Sequence, residues 1–148
     1  MSTYTQILYQ VVFSTKNRVH ALTKPGREEL FRYISGVLKK KSCHLYQIGG
    51  VADHLHIITH LHPSVALASL VKDIKLASSE HIKTHNLFPL FDGWQVGYAG
   101  FTYSFEAKDN LIFYVQNQEE HHINNSYKEE LIRFLEEFKI EYDEKYLM

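Results

Sequence analysis

Cysteine is almost missing from this sequence. Cys43 is the single one in 148 residues, which excludes an internal disulfide and a cysteine-based zinc site. Such sparing use fits a reducing cytoplasm. No run of about 18 apolar residues occurs, so no membrane span is expected. The opening MSTYTQILYQVVF lacks a basic region, a long apolar stretch and a small-residue cleavage site, and it reads as a first strand, not a secretory leader. Internal repeats, low-complexity tracts and linkers are also missing. One domain over residues 1–148 is expected, long enough to bury a real core.

A strong charge of one sign is lacking too. The formal net charge is −1, which does not mark a nucleic-acid binder. Its distribution says more. Residues 1–85 carry eleven Lys/Arg against five Asp/Glu, and residues 86–148 carry five against twelve, so +6 is set against −7. The basic half contains Lys39, Lys40 and Lys41 in succession, with Lys16, Arg18, Lys24, Arg27 and Arg32 nearby, and could attract phosphates. A solvated helix face is the plainer reading.

What is present is periodic. Residues 3–15 alternate and are rich in β-branched and aromatic side chains, which predicts a strand. Residues 16–26 read as a loop. Leu30, Phe31, Ile34, Val37 and Leu38 give helical spacing over 27–41. Residues 43–51 and 53–61 read as a hairpin of two strands, with Gly49 and Gly50 allowing a bend and Pro63 ending the second. A long helix is expected over 63–85, with Ser64 as its N-cap. After a loop at 86–93, a fourth strand is expected over 94–105, broken near Gly97 or Gly100. A short helix follows at 108–118. A last amphipathic helix is expected at 126–142, with Leu131, Phe134, Leu135 and Phe138 on one face and acids on the other, facing solvent. Strand, helix, strand, strand, helix, strand and then helices is the split βαβ order. It predicts an α+β, ferredoxin-like antiparallel sheet with two helices on one face plus C-terminal helices.

Two clusters carry chemistry. In DHLHIITHLH, His54 and His56 lie two apart on a strand and project in parallel, with Leu55 and Ile57 on the opposite side. Two imidazoles so placed can share a metal ion, but a third ligand must come from elsewhere. A polar sheet face that is rich in histidine is the alternative. His60 and His62 form a second such pair, but His62 abuts Pro63 at the strand end, so the first pair is better held. In NLIFYVQNQEEHH, Tyr114 and Gln118 are four apart and share a helix face. A phenol that can attack phosphorus and a carbonyl that can ligate a metal then meet one turn apart. The alternative for Tyr114 is half-buried packing.

Together these segments resemble a known family. DHLHII is similar to the histidine–hydrophobic–histidine motif of the HUH endonucleases. WQVGYAGFTYS resembles the Trp-x-x-Gly-Tyr-Gly-Ala-Phe-Ser strand of the small one-tyrosine transposases of insertion sequences, the IS200-like group. YVQNQEEHH resembles that group's nucleophile helix, and LYQVVFSTKNRVHAL its first strand and loop. The likeness runs in order from about Tyr4 to His122. Small residues are exchanged in Gly97-Tyr98-Ala99-Gly100-Phe101, and His60 and His62 lie outside the motif.

The resemblance implies a DNA transposase acting on single strands. Tyr114 would attack the scissile phosphate to give a 5′-phosphotyrosine and a free 3′-hydroxyl, with no nucleotide cofactor. His54, His56 and Gln118 would hold one divalent ion, Mg²⁺ or Mn²⁺. Asp53 would orient a ligand histidine from behind, or simply turn the hairpin. The resemblance further implies a homodimer, hinged before Lys108, that recognises DNA hairpins near element ends. Lys16, Arg18, Lys39, Lys40 and Lys41 would contact phosphates. The rival readings are a hairpin-processing nickase of the same superfamily, a non-catalytic nucleic-acid-binding or metal-binding module of the same fold, and a metal-dependent hydrolase that uses water.

Overall fold

Alternating apolar side chains in LYQVVFS are buried on both sides, and the segment forms strand β1, Leu8–Ser14. The computed structural model describes residues 2–147. Helix α1 is Lys24–Lys40, followed by the hairpin β2, His44–Gly50, and β3, His54–His60. Helix α2, Leu67–Thr84, leads to β4, Ala99–Tyr103. Then come α3, Lys108–Gln116, the single turn α4, Gln118–His121, and α5, Tyr127–Glu137. The sheet order is β2-β3-β1-β4, with every neighbouring pair antiparallel. β1 and β2 therefore run the same way with β3 between them, the split βαβ arrangement expected from the element order.

The sheet is covered on both faces. On one, Val11, Phe13, Leu55 and Ile57 pack against Leu30, Ile34 and Leu38 of α1 and Leu70 and Ile74 of α2. Phe13 is 1% exposed and meets Trp94 edge-on at 5.0 Å. Phe13→Ala should cost about 3–5 kcal/mol, from lost transfer energy and the cavity left behind. A denaturant midpoint shift at unchanged slope checks this. On the other face, Leu8 and Ile58 pack with Leu111 and Val115 of α3, while Val12 and Phe101 pack with Phe134 and Leu135 of α5.

Several expectations need correction. α1 begins at Lys24, because Pro25 fits a first helical turn that needs no donor from it. Ser64 does not cap α2, which starts behind Ala66; a turn from Val65 N–H to the His62 carbonyl intervenes, and Ser64 Oγ pairs with His62 Nδ1 at 2.7 Å. The fourth strand is shorter than 94–105. Trp94 joins the sheet only through a bridge to Thr15, and Gly97 takes φ +92. The carbonyls of Gln95 and Gly97 go instead to Lys75 Nζ, at 2.8 and 2.5 Å. The helix expected at 108–118 breaks at Asn117, whose amide competes with the backbone for the Phe113 carbonyl at 2.7 Å. The last helix is also shorter than 126–142 and does not stand away in solvent. A capping box of Ser126 and Glu129 starts it, and Tyr127, Glu130, Phe134 and Leu135 are buried beneath it.

Candidate metal centre and tyrosine

The two-residue period of β3 turns His54 and His56 onto the face covered by α3 and α5, and both are fully buried. Cross-strand pairing sets Ser14 opposite His54 and Val12 opposite His56, with Gln10 one step further along β1. Glu130 comes down from α5 between the rings, at 3.2 Å from His54 Nε2 and 2.9 Å from His56 Nε2. His122, just after α4, completes the cluster, with its Nε2 at 3.2 Å from Glu130 and 3.1 Å from His54 Nε2. One donor atom from each of these four residues lies within 4.8 Å of all the others.

Every ring is fixed from behind. His54 Nδ1 faces Asp53 Oδ1 at 2.7 Å, His56 Nδ1 faces Gln10 Oε1 at 2.8 Å, and His122 Nδ1 faces the Asn125 carbonyl at 2.7 Å. Gln10 is itself oriented, because its amide nitrogen donates to Tyr103 Oη at 2.8 Å. Each Nδ1 is thus a donor, which leaves each Nε2 with an inward lone pair. Three lone pairs then meet a carboxylate that also only accepts. Two ring nitrogens facing each other at 3.1 Å demand a cation between them, either a proton on one ring or an ion shared by all. The donor set fits a divalent metal ion, which satisfies every inward atom at once.

Burial pulls the His54 imidazole down, but Asp53 and Glu130 outweigh it, so its pKa is raised. Burial dominates at His56, whose pKa is lowered. Glu130 also loses solvation, yet the imidazoles of His122, His54 and His56 packed around it hold its carboxyl far below the ordinary carboxylate range. Asp53 behaves likewise: His54 overcomes its burial and lowers its pKa.

Tyr114 on α3 reaches this cluster within one protomer. Its hydroxyl donates to Glu130 Oε2 and accepts from Arg133 Nη2 at 2.8 Å. Burial first, then the Glu130 charge, raise the phenol's pKa, so it is a neutral donor. Gln118 is 1% exposed, and its Oε1 stands 3.1 Å from His122 Nε2. Tyr114 near the end of α3 and Gln118 at the start of α4 both point inward across the break at Asn117.

Not every residue singled out from the sequence gathers here. Arg18 lines a groove of about 750 Å³ beside the cluster, together with His20, Lys24, Arg27, Asp53 and His122. Lys16 lies beyond it, 3.9 Å from Asp92. Lys39, Lys40 and Lys41 sit at the opposite end of α1, roughly 24 Å of helix away from Lys24 at about 1.5 Å per residue. His60 Nδ1 accepts the Ile7 amide at 3.2 Å, and His62 is held by Ser64, so neither joins the cluster.

Two residues of the centre went unnoticed in the sequence. His122 follows Gln118 by four, continuing the spacing from Tyr114 to Gln118. Glu130 interrupts the apolar stripe of the last helix, between Tyr127 and Phe134, and a lone acid at a core position is a legible signal.

Comparison with known proteins adds a lineage. The family model described as "Transposase IS200 like" matches residues 3–118. No curated protein matches. Among solved structures, a candidate transposase from Deinococcus radiodurans R1 superposes with a TM-score of 0.63 at 20% identity, over 80% of this chain and 95% of that one. A REP-associated tyrosine transposase bound to a REP hairpin superposes with a TM-score of 0.62 at 16% identity, over 82% of this chain and 74% of that one.

Proposed function

Because the chain belongs to the IS200-like transposase family, we propose that it cleaves and rejoins single-stranded DNA at insertion-sequence ends through Tyr114. The observation that carries this reading is the meeting of Tyr114 with His54, His56 and Gln118 around one carboxylate in a single protomer.

The Tyr114 oxygen attacks the scissile phosphorus. A phosphorus–oxygen bond to tyrosine forms as the bond to the 3′ oxygen breaks, and the phenol proton is given up as the 3′-hydroxyl is released. Arg133, 2.8 Å from the phenol oxygen, favours the developing phenolate. The 5′-phosphotyrosine conserves the bond energy, so a later 3′-hydroxyl can rejoin the strand without a nucleotide cofactor. His54, His56 and Gln118 would hold a divalent ion, Mg²⁺ or Mn²⁺, which when bound would supply positive charge to the scissile phosphate. Asp53 keeps the His54 ring in the tautomer that points Nε2 inward.

The hairpin-bound structural neighbour supports DNA hairpins as the recognised element. Arg18 in the groove would hold the strand near the cleaved bond. Lys16 and Lys39 to Lys41 would touch more distant phosphates, giving binding that weakens with salt. The family resemblance supports a homodimer, and the single Cys43 a cytoplasmic setting. Among the described residues, no helix is long and apolar enough to cross a membrane.

The test is covalent capture. The protein is incubated with labelled single-stranded DNA from the flanks of its own gene plus Mn²⁺, then run on a denaturing gel. A shifted band that EDTA abolishes supports the proposal. Cleavage without a band favours a water-using hydrolase, and binding without cleavage favours a non-catalytic module.

A further inference from the structure

We propose that His122 and Glu130 are themselves metal ligands, so that three imidazoles and a carboxylate hold the ion and select a first-row transition ion over Mg²⁺. This rests on the metal-site reading above and changes its ligand set. Two residues are added that lie beyond the span matched by the family model, which ends at Gln118.

Three observations carry it. First, His122 is fixed as firmly as the two strand histidines: the acceptor behind its Nδ1 is a backbone carbonyl, which cannot donate, so its inward Nε2 is a bare lone pair. Second, Glu130 is 3% exposed at a position where its neighbours along the helix are Tyr127 and Phe134. Burying a carboxylate in an apolar stripe is costly unless a cation meets it. Lys and Arg do not supply that cation. Arg133 points to the phenol oxygen, and the groups nearest both carboxylate oxygens are ring nitrogens, the phenol and the Gln118 amide. Third, Gln118 sets its Oε1 3.1 Å from His122 Nε2 and its amide nitrogen 3.4 Å from Glu130, so it lies against both of the added ligands.

The donor chemistry sets the preference. Mg²⁺ favours oxygen donors and keeps its waters, whereas imidazole suits the later first-row ions such as Fe²⁺, Co²⁺ and Zn²⁺, with Mn²⁺ the weakest binder of that series. Three nitrogens and one carboxylate should favour Mn²⁺ over Mg²⁺, and Co²⁺ or Zn²⁺ over both.

The experiment is metal titration of the full chain without DNA. Calorimetry gives affinities for Mn²⁺ and Mg²⁺, and visible absorption of the Co²⁺ form reports coordination. The proposal expects an intense four-coordinate Co²⁺ spectrum. It expects His122→Ala and Glu130→Gln each to weaken Mn²⁺ by about tenfold or more and to change that spectrum, with Gln118→Ala milder. His122 is near the surface in a short connection, so its variant tests the claim if Glu130→Gln fails to fold. If His54→Ala loses the metal while His122→Ala keeps wild-type affinity and spectrum, the extended ligand set is wrong and the original site stands. If His54→Ala also binds normally, the metal-site reading itself falls. A weak six-coordinate spectrum with equal Mg²⁺ and Mn²⁺ affinity would likewise overturn the proposal.

Discussion

Tyr114→Phe is expected to lose cleavage and the covalent adduct by about a thousandfold or more, with DNA binding and Mn²⁺ affinity unchanged. Removing a nucleophile removes the reaction path, and what survives is only the help given by binding and charge. The substitution deletes one oxygen and keeps the ring, which packs on Phe134 and stacks on His121 at 4.4 Å. Glu130 loses one donor but keeps the Gln118 amide and its place among the three rings, so the fold should hold. Single-turnover cleavage of labelled single-stranded DNA, beside a filter-binding curve, separates the two effects. Equal loss of binding and cleavage would argue that Tyr114 is packing after all.

Gly49→Ala should lower cleavage by about 100-fold and destabilise the protein by roughly 1–3 kcal/mol, although residue 49 touches neither DNA nor metal. A Cβ at this position would sit 2.5 Å from the Val115 carbonyl oxygen and 2.9 Å from Val115 Cγ1. The obstacle is the backbone of α3, which cannot swing aside as a long side chain can. The helix must shift away from β2, and Tyr114 is the residue beside Val115. A displacement near 1 Å is enough to spoil attack geometry. The proposed metal ligands lie on β3, α5 and the connection after α4, so Mn²⁺ affinity should fall much less than the rate. Thermal unfolding and single-turnover kinetics on one preparation check both halves.

The strands and main helices were legible from their composition and spacing. β1 and β3 are short runs rich in apolar and β-branched residues, buried on both faces, and α1 and α2 keep one apolar stripe each. His54 and His56 were legible for the same reason, since a period of two can only place them on one face. Features decided by side chains competing for backbone groups were hidden. The Asn117 amide ends α3 without a glycine or proline to announce it, and Lys75 draws the Gln95 and Gly97 carbonyls away from β4 from twenty residues earlier. Glu130 was hidden differently. Surface acids surround it in KEELIRFLEE, and only its phase on the helix sets it apart. Its burial depends on His54 and His56, more than seventy residues earlier, together with the nearby His122.

The depth of Glu130 has a consequence for substrate entry. With His54 and His56 fully buried, a phosphodiester and the carboxylate cannot occupy the same place. Should the carboxylate have to leave the ion for a phosphate to enter, it would act as a competitor tethered at an effective concentration in the millimolar range or above. DNA would then have to displace it, and apparent affinity at the cleavage point would scale with the fraction of molecules in which Glu130 has released the site. A hairpin gripped elsewhere on the surface would raise the local strand concentration enough to win that exchange, whereas stray single strands would not. Selectivity for the right DNA end would then arise from an internal anion that most strands fail to displace.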